Sequence, residues 1–182
     1  LLDKIDAGDG LRILQELKSR GVETAIDLVS ENSNRYGIVR RVLPYVDNLI
    51  VNEAEASRIA DSDGRDLHET ASKLLGLGVG RRVVIHQPDR GMSLRKDGIW
   101  TECPSYRLPI GFIKGKTGAG DAYCAGVLTG IFKDLPEMEI LKTGRTAAVG
   151  ALSAAGATEG MKSLEELEGD CSNWDLHEVE KR

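Results

Sequence analysis

The sequence predicts an α/β fold: an open, mostly parallel sheet with helices on both faces and a small antiparallel hairpin. Three observations predict it. Short apolar runs alternate with helical periodicity from residue 9 to about residue 90, the pattern of parallel strands joined by crossover helices. Polar residues stand at or just after the ends of those runs (Asp27, Asn52 and His86), where such sheets meet ligands. A glycine-rich stretch, Gly115-Lys116-Thr117-Gly118-Ala119-Gly120-Asp121, then runs straight into a helical segment over 122–132.

Taken in order, Asp9 can cap a helix with Leu11, Leu14 and Leu17 on its apolar stripe, and Gly21 can end it. Residues 24–29 read as a short buried strand, interrupted by Asp27. A polar loop over 30–34 follows, then a helix over 36–42 that stops before Pro44. Residues 47–51 form the next strand, and 54–60 the helix after it. Asp66-Leu67-His68-Glu69 has capping-box spacing and opens a helix through Leu75; His68 belongs on its exposed face. Gly76, Gly78 and Gly80 follow that helix and precede a strand over 82–86, the reverse of a dinucleotide fingerprint. Residues 92–95 and 99–102 flank Lys96-Asp97-Gly98, a hairpin signal. After the 122–132 helix, Pro136 suits a first helical turn, and an Ala-rich helix runs to about Ala155. Ser163 and Glu166 form a second capping box, and Asn173 begins a surface tail.

Composition bounds the function. Hydrophobic residues at 41% and charged residues at 29% describe a globular chain rather than a disordered one. Aromatics at 4% and a net charge of -5 argue against a nucleic-acid binder. No apolar run reaches the length of a membrane span, and no leader pattern stands at the start. Cys103, Cys124 and Cys171 lack metal-ligand spacing, so structural thiols and a reducing, cytoplasmic location are expected.

The glycine stretch carries the chemistry. Small residues let a backbone approach a ligand closely, and a helix start presents unpartnered amides with partial positive charge. Together they make a place for an anion. An acidic Asp121 beside that place suits a base that takes a proton from a nucleophile attacking a phosphate. Gly115-Lys116-Thr117 has the ending of a P-loop, but that pattern needs a glycine where Ile110 stands. A dinucleotide pattern fails too, because Tyr123 occupies its third glycine position.

Thr117 to Asp121, followed by Ala125-Gly126, resembles the C-terminal signature of the ribokinase-like sugar kinases, the phosphofructokinase-B family. That family's motif is Asp-Thr-Thr-Gly-Ala-Gly-Asp, and its last five positions match. Asn52-Glu53-Ala54-Glu55 is similar to the family's Asn-x-x-Glu element, and Ala154-Ala155-Gly156-Ala157 resembles its loop beside the nucleotide base. The resemblance runs from the Asp27 strand to about Gly160. It implies that MgATP gives its γ-phosphoryl group to a primary alcohol of a sugar or related polyol. It implies Asp121 as catalytic base, and the amides of Gly118, Ala119 and Gly120 as the anion hole. Thr117, Gly91, Ala155 and Gly156 are implied at the nucleotide. Asn52 and Glu55 are implied as the pair that organises magnesium, its waters and phosphate, with no direct protein ligand assigned to the metal. The partners implied are ATP and a small sugar or polyol, without nucleic acid or membrane, in a chain that could form a homodimer.

The departures are specific. Gly115 replaces an Asp that helps hold a monovalent cation in many members, which puts a potassium site in doubt. Lys116 either brings a fixed positive charge to the phosphates or is a solvated loop lysine. His86-Gln87-Pro88-Asp89-Arg90-Gly91 stands where the family has Thr-x-Gly-x-x-Gly, and keeps only its last glycine. His86 either binds phosphate or is a buried strand-end histidine. Asp27, with Asn32 and Arg35, is loosely similar to strand-end residues of some members. The family's small β-sheet lid and early Gly-Gly element are not found. Residues 1–182 are therefore expected to be one α/β domain, the C-terminal part of a longer sugar kinase without its N-terminal half and lid. Two other readings stay open: a non-catalytic nucleotide-binding or interaction module on the same scaffold, and a kinase of a nucleoside or vitamin-like alcohol.

Overall fold

The structure, a computed structural model, describes residues 9–29 and 35–178. The loop expected over 30–34, with Asn32, lies outside the described residues. The chain packs as two compact units, Leu1–His86 with Ser93–Trp100, and Gln87–Met92 with Thr101–Arg182. Its described strands form one five-stranded sheet in the order β1-β2-β3-β4-β5.

In the first unit, helix α1 (Asp9–Ser19) opens with an acidic residue and closes with Lys18 in its last turn. Gly21, with φ of 70°, turns the chain out of it. Strands β1 (Ala25–Ile26), β2 (Asn48–Asn52) and β3 (Arg82–His86) pair in parallel. Leu49, Ile50 and Val51 of β2 and Val83, Val84 and Ile85 of β3 are fully buried. Apolar runs covered on both faces are what central parallel strands require. The expected 24–29 strand shrinks to two residues and is not buried, because Ala25, Asp27 and Val29 face solvent at the sheet edge.

Between β1 and β2 the expected α-helix over 36–42 is instead two 3-10 segments, Arg35–Arg41 and Leu43–Tyr45. Pro44 has no amide to donate and disfavours α geometry in the residue before it. The chain answers with tighter bonds three residues apart, Tyr45 N to Val42 O at 2.9 Å and Val46 N to Leu43 O at 3.1 Å. Helices α2 (Glu53–Ala60) and α3 (Leu67–Gly76) follow the expected order. Asp66 caps α3 by accepting from the amides of His68 (2.9 Å) and Glu69 (3.1 Å).

Strands β4 (Arg90–Arg95) and β5 (Trp100–Pro104) form the expected hairpin, closed by Gly98 N donating to Arg95 O at 3.0 Å. The second unit then holds α4 (Ala119–Phe132), α5 (Glu137–Leu152) and α6 (Leu164–Cys171). α4 begins three residues earlier than its apolar pattern suggested, so Gly120 and Asp121 lie inside its first turn. α4 and α5 meet at small residues. A Cβ on Gly126 would run into the Thr143 carbonyl, and the Thr143 hydroxyl donates to Gly126 O at 2.9 Å. Ser163 and Glu166 make the expected capping box on α6. Cys103, Cys124 and Cys171 are buried free thiols.

Candidate functional site

Residues expected at the site fall in both units. In the second unit, the glycine stretch forms the start of α4. Gly118 is the N-cap, in the left-handed region at φ 81°, and it places no side chain over the helix end. A Cβ there would sit 2.7 Å from the Cβ of Ala157 and 2.9 Å from its carbonyl oxygen. Gly118 is therefore required twice, by its φ and by the wall beside it. Gly115 is similarly confined, since a Cβ would meet the carbonyl oxygens of Ala155 (2.6 Å) and Ala154 (2.9 Å). The fold thus brings the glycine stretch against Ala154 to Ala157, two segments far apart in sequence.

The helix start can hold an anion by geometry and charge. Of its amides, Ala119 N donates to Lys116 O in a long 3.3 Å bond, and Ala122 N closes the first turn on Gly118 O at 2.8 Å. Asp121 is exposed in that first turn, and Thr117 and Lys116 are exposed just before it. A carboxylate that reaches solvent within one turn of an uncapped helix start can accept a proton from a bound hydroxyl. On the neighbouring loop, the amide of Gly156 donates to the Glu159 carboxylate at 3.3 Å, and Ala155 is exposed. Gly91 has a packing reason of its own: a Cβ there would collide with the Tyr123 hydroxyl. Burial raises the Tyr123 phenol well above its usual range, so it stays neutral.

In the first unit, Asn52 ends β2 and caps α2. Its Oδ1 accepts from Glu55 N at 2.9 Å, and Glu55 Oε2 accepts from Asn52 N at 3.1 Å. The Asn-x-x-Glu spacing is thus a complete capping box. Glu55 is 2% exposed, a buried carboxylate at a helix start. His86 is the register partner of Asn52 across the adjacent strand ends. Burial holds its imidazole down at about 4, so it is neutral at pH 7 and offers no charge to a phosphate. Asp27 lies just past β1, exposed, with Oδ1 accepting from Leu28 N at 2.9 Å. That is the bond of a loop-capping aspartate.

Two contributors escaped sequence reasoning. Glu159 holds the Gly156 loop, and its only sequence signal is an acid three residues after a glycine. The chain after Asn173, expected as a surface tail, is instead bonded to residues 105–107 through Asp175 and His177. Backbone pairing of that kind has no signature in composition. Among the described residues, no group of three or more His, Cys, Asp or Glu could hold a metal ion, and no helix is long and apolar enough to cross a membrane.

Comparison with known proteins adds the family. Residues 6–164 match the family described as pfkB family carbohydrate kinase. A cytidine kinase of Thermococcus kodakarensis is 28% identical over 145 residues, 79% of this chain and 51% of that protein. Adenosine kinase 2 of Arabidopsis thaliana is 28% identical over 129 residues, 66% of this chain and 37% of that protein. The chain therefore spans about half the length, or less, of these curated relatives. Among solved structures, Arabidopsis thaliana ribokinase, complexed with ribose and ATP, superposes with a TM-score of 0.75 at 20% identity, over 87% of this chain and 50% of that one. At that identity the likeness establishes the fold alone.

Proposed function

The chain belongs to the pfkB family of carbohydrate kinases, and from that premise we propose that it is the nucleotide-binding portion of an ATP-dependent kinase. The reaction is phosphorylation of a primary alcohol on a sugar or related polyol. One observation carries the reading. The helix start at Gly118 has no side-chain cap, and an exposed Asp121 stands in its first turn. The amides there favour a transferring phosphoryl group, and Asp121 accepts the hydroxyl proton as that oxygen bonds to phosphorus and the bond to ADP breaks. Lys116, exposed one residue before Thr117, adds positive charge on the approach to the phosphates.

Magnesium fits this residue set in an indirect way. The ion keeps several waters and phosphate oxygens, so it needs few protein ligands. The buried Glu55 carboxylate, fixed by Asn52, is a hard oxygen donor suited to hold such waters. When bound, magnesium would neutralise charge on the β- and γ-phosphates. Gly115 in place of an acidic residue argues that no monovalent cation is bound through a carboxylate there.

A second reading of the acceptor has its own support. The two curated relatives are named as cytidine and adenosine kinases, which favours the primary alcohol of a nucleoside. The test is one panel with the intact protein: ribose, cytidine and adenosine, each with MgATP, following ADP release. Turnover with the nucleosides and none with ribose selects the second reading. Failure with all three and with a wider panel of pentoses, hexoses and polyols, in a folded protein that binds an ATP analogue by calorimetry, selects a non-catalytic nucleotide-binding module.

A further inference from the structure

The approach to the glycine stretch carries no regular structure between β5 and α4, so something else must fix it. Its first part is bound to the segment after α6. Arg107 N donates to Asp175 O at 2.8 Å, His177 N donates to Ser105 O at 2.9 Å, and Tyr106 and Leu176 form an antiparallel bridge. Trp174 then reaches further along the approach. Its ring lies edge-on to Tyr106 at 6.0 Å and to Phe112 at 4.9 Å. Arg145 of α5 packs its guanidinium 4.2 Å over the Tyr106 ring and donates to Pro104 O at 2.8 Å. Just past Phe112, Lys114 N donates to Leu152 O at 2.9 Å, and Gly115 enters the confined place against Ala154 and Ala155. By contrast Ile110 and Ile113 are exposed, so these two residues do not hold the approach, whereas Phe112 is half-buried against Trp174.

We propose that Trp174 is a positioning residue for the phosphate-binding stretch. Through Phe112 it fixes the segment that delivers Lys116 and Thr117 to the start of α4. This rests on the reading of Gly118 to Asp121 as anion hole and base. It adds that the geometry of that hole depends on a residue more than fifty positions later in the chain. An edge-on aromatic pair suits the task, because it sets both distance and direction between two rings. A displacement of the anion hole of even an ångström weakens transition-state stabilisation more than ground-state binding.

The test uses the intact protein with Trp174→Ala and Trp174→Phe in two measurements. The first is trypsin cleavage after Lys114 and Lys116 under native conditions. Trp174→Ala raises that rate about tenfold, and Trp174→Phe stays within about threefold of wild type. The second is steady-state kinetics with MgATP and whichever of ribose, cytidine or adenosine turns over. There Trp174→Ala lowers kcat about tenfold while KM for ATP moves less than about threefold, and Trp174→Phe restores kcat. If Trp174→Ala does not fold, Phe112→Leu takes its place, with the same two expectations. Unchanged cleavage in a folded alanine variant overturns the proposal, as does a kcat that does not fall. Should wild type turn over no sugar, polyol or nucleoside of a wider panel, the kinase reading fails. The cleavage measurement still decides the anchoring by Trp174.

Discussion

The molecule contains two helix starts that follow the same recipe of small and acidic residues yet end in opposite states. At α2 the N-cap is Asn52, and both partners of the box are satisfied by side chains. Glu55 there is buried. At α4 the N-cap is Gly118, which has no side chain to give, and the acid of the first turn, Asp121, is exposed. A satisfied cap stabilises its helix by about 1 kcal/mol. An unsatisfied one forgoes that stabilisation and keeps its amides and dipole available for an anion. The α4 corner is therefore the one our proposal assigns to the chemistry. The α2 corner is a buried carboxylate whose orientation is set by its own capping box.

The sharpest way to break this contrast is at Asp121. Asp121→Asn keeps the size and the exposed position but removes the proposed base. Phosphoryl transfer should fall by about a thousandfold or more, while affinity for an ATP analogue, read by calorimetry, stays within about threefold. A mutant with wild-type kcat would remove Asp121 from the chemistry. The next effect comes from the cap. Gly118→Ala adds a Cβ that meets Ala157 at 2.7 Å in a backbone of positive φ. The expected result is a loss of about a hundredfold in kcat, with destabilisation of about 1–3 kcal/mol in urea unfolding. An alanine variant as active as wild type would mean that the left-handed Gly118 does not shape the anion hole.

How much of this contrast was legible in the sequence follows from how local each part is. The helix start at Thr117 to Asp121 was readable because it is made by neighbours in the chain, and the anion site proposed there rests on the same local stretch. Asn52 and Glu55 were readable as a pair for the same reason, and what the structure shows of that pair is a capping box. β2 and β3 were readable because strands buried on both faces need unbroken apolar runs. The strand expected over 24–29 failed because an apolar run looks the same at a solvent-facing edge as in a core. The helix over 36–42 failed because Pro44 acts on local geometry that periodicity does not register. The wall of Ala154 to Ala157 against Gly115 and Gly118, and the bonds from Asp175 and His177, are contacts between distant segments. Nothing in composition or period encodes them.

At the α2 corner the larger of two smaller effects is a pH dependence through His86. Burial lowers its folded pKa from 6.5 to about 4. The unfolded chain then binds a proton that the folded one refuses. Stability therefore falls as pH drops below 6.5 and levels off below about 4, with a total loss on the order of 3 kcal/mol. Urea unfolding at several pH values checks this. His86→Gln should flatten that window, because its side chain does not titrate. Equal slopes in mutant and wild type would place the proton uptake elsewhere.

The smallest effect is at the cap itself, and it separates the two corners most directly. Asn52→Ala removes the acceptor for Glu55 N and frees the Glu55 carboxylate from its fixed partner. The cost expected in urea unfolding is about 1 kcal/mol. If Glu55 organises magnesium only while the box holds it, the same variant also raises the magnesium concentration needed for half-maximal turnover, by about tenfold. Asn52→Asp keeps an accepting oxygen at the cap and should recover the stability at pH 7 more fully than the magnesium response, since it places a second negative charge beside Glu55. A mutant that loses stability with an unchanged magnesium response would leave Asn52 and Glu55 as a cap alone. The α4 corner would then carry the chemistry without them.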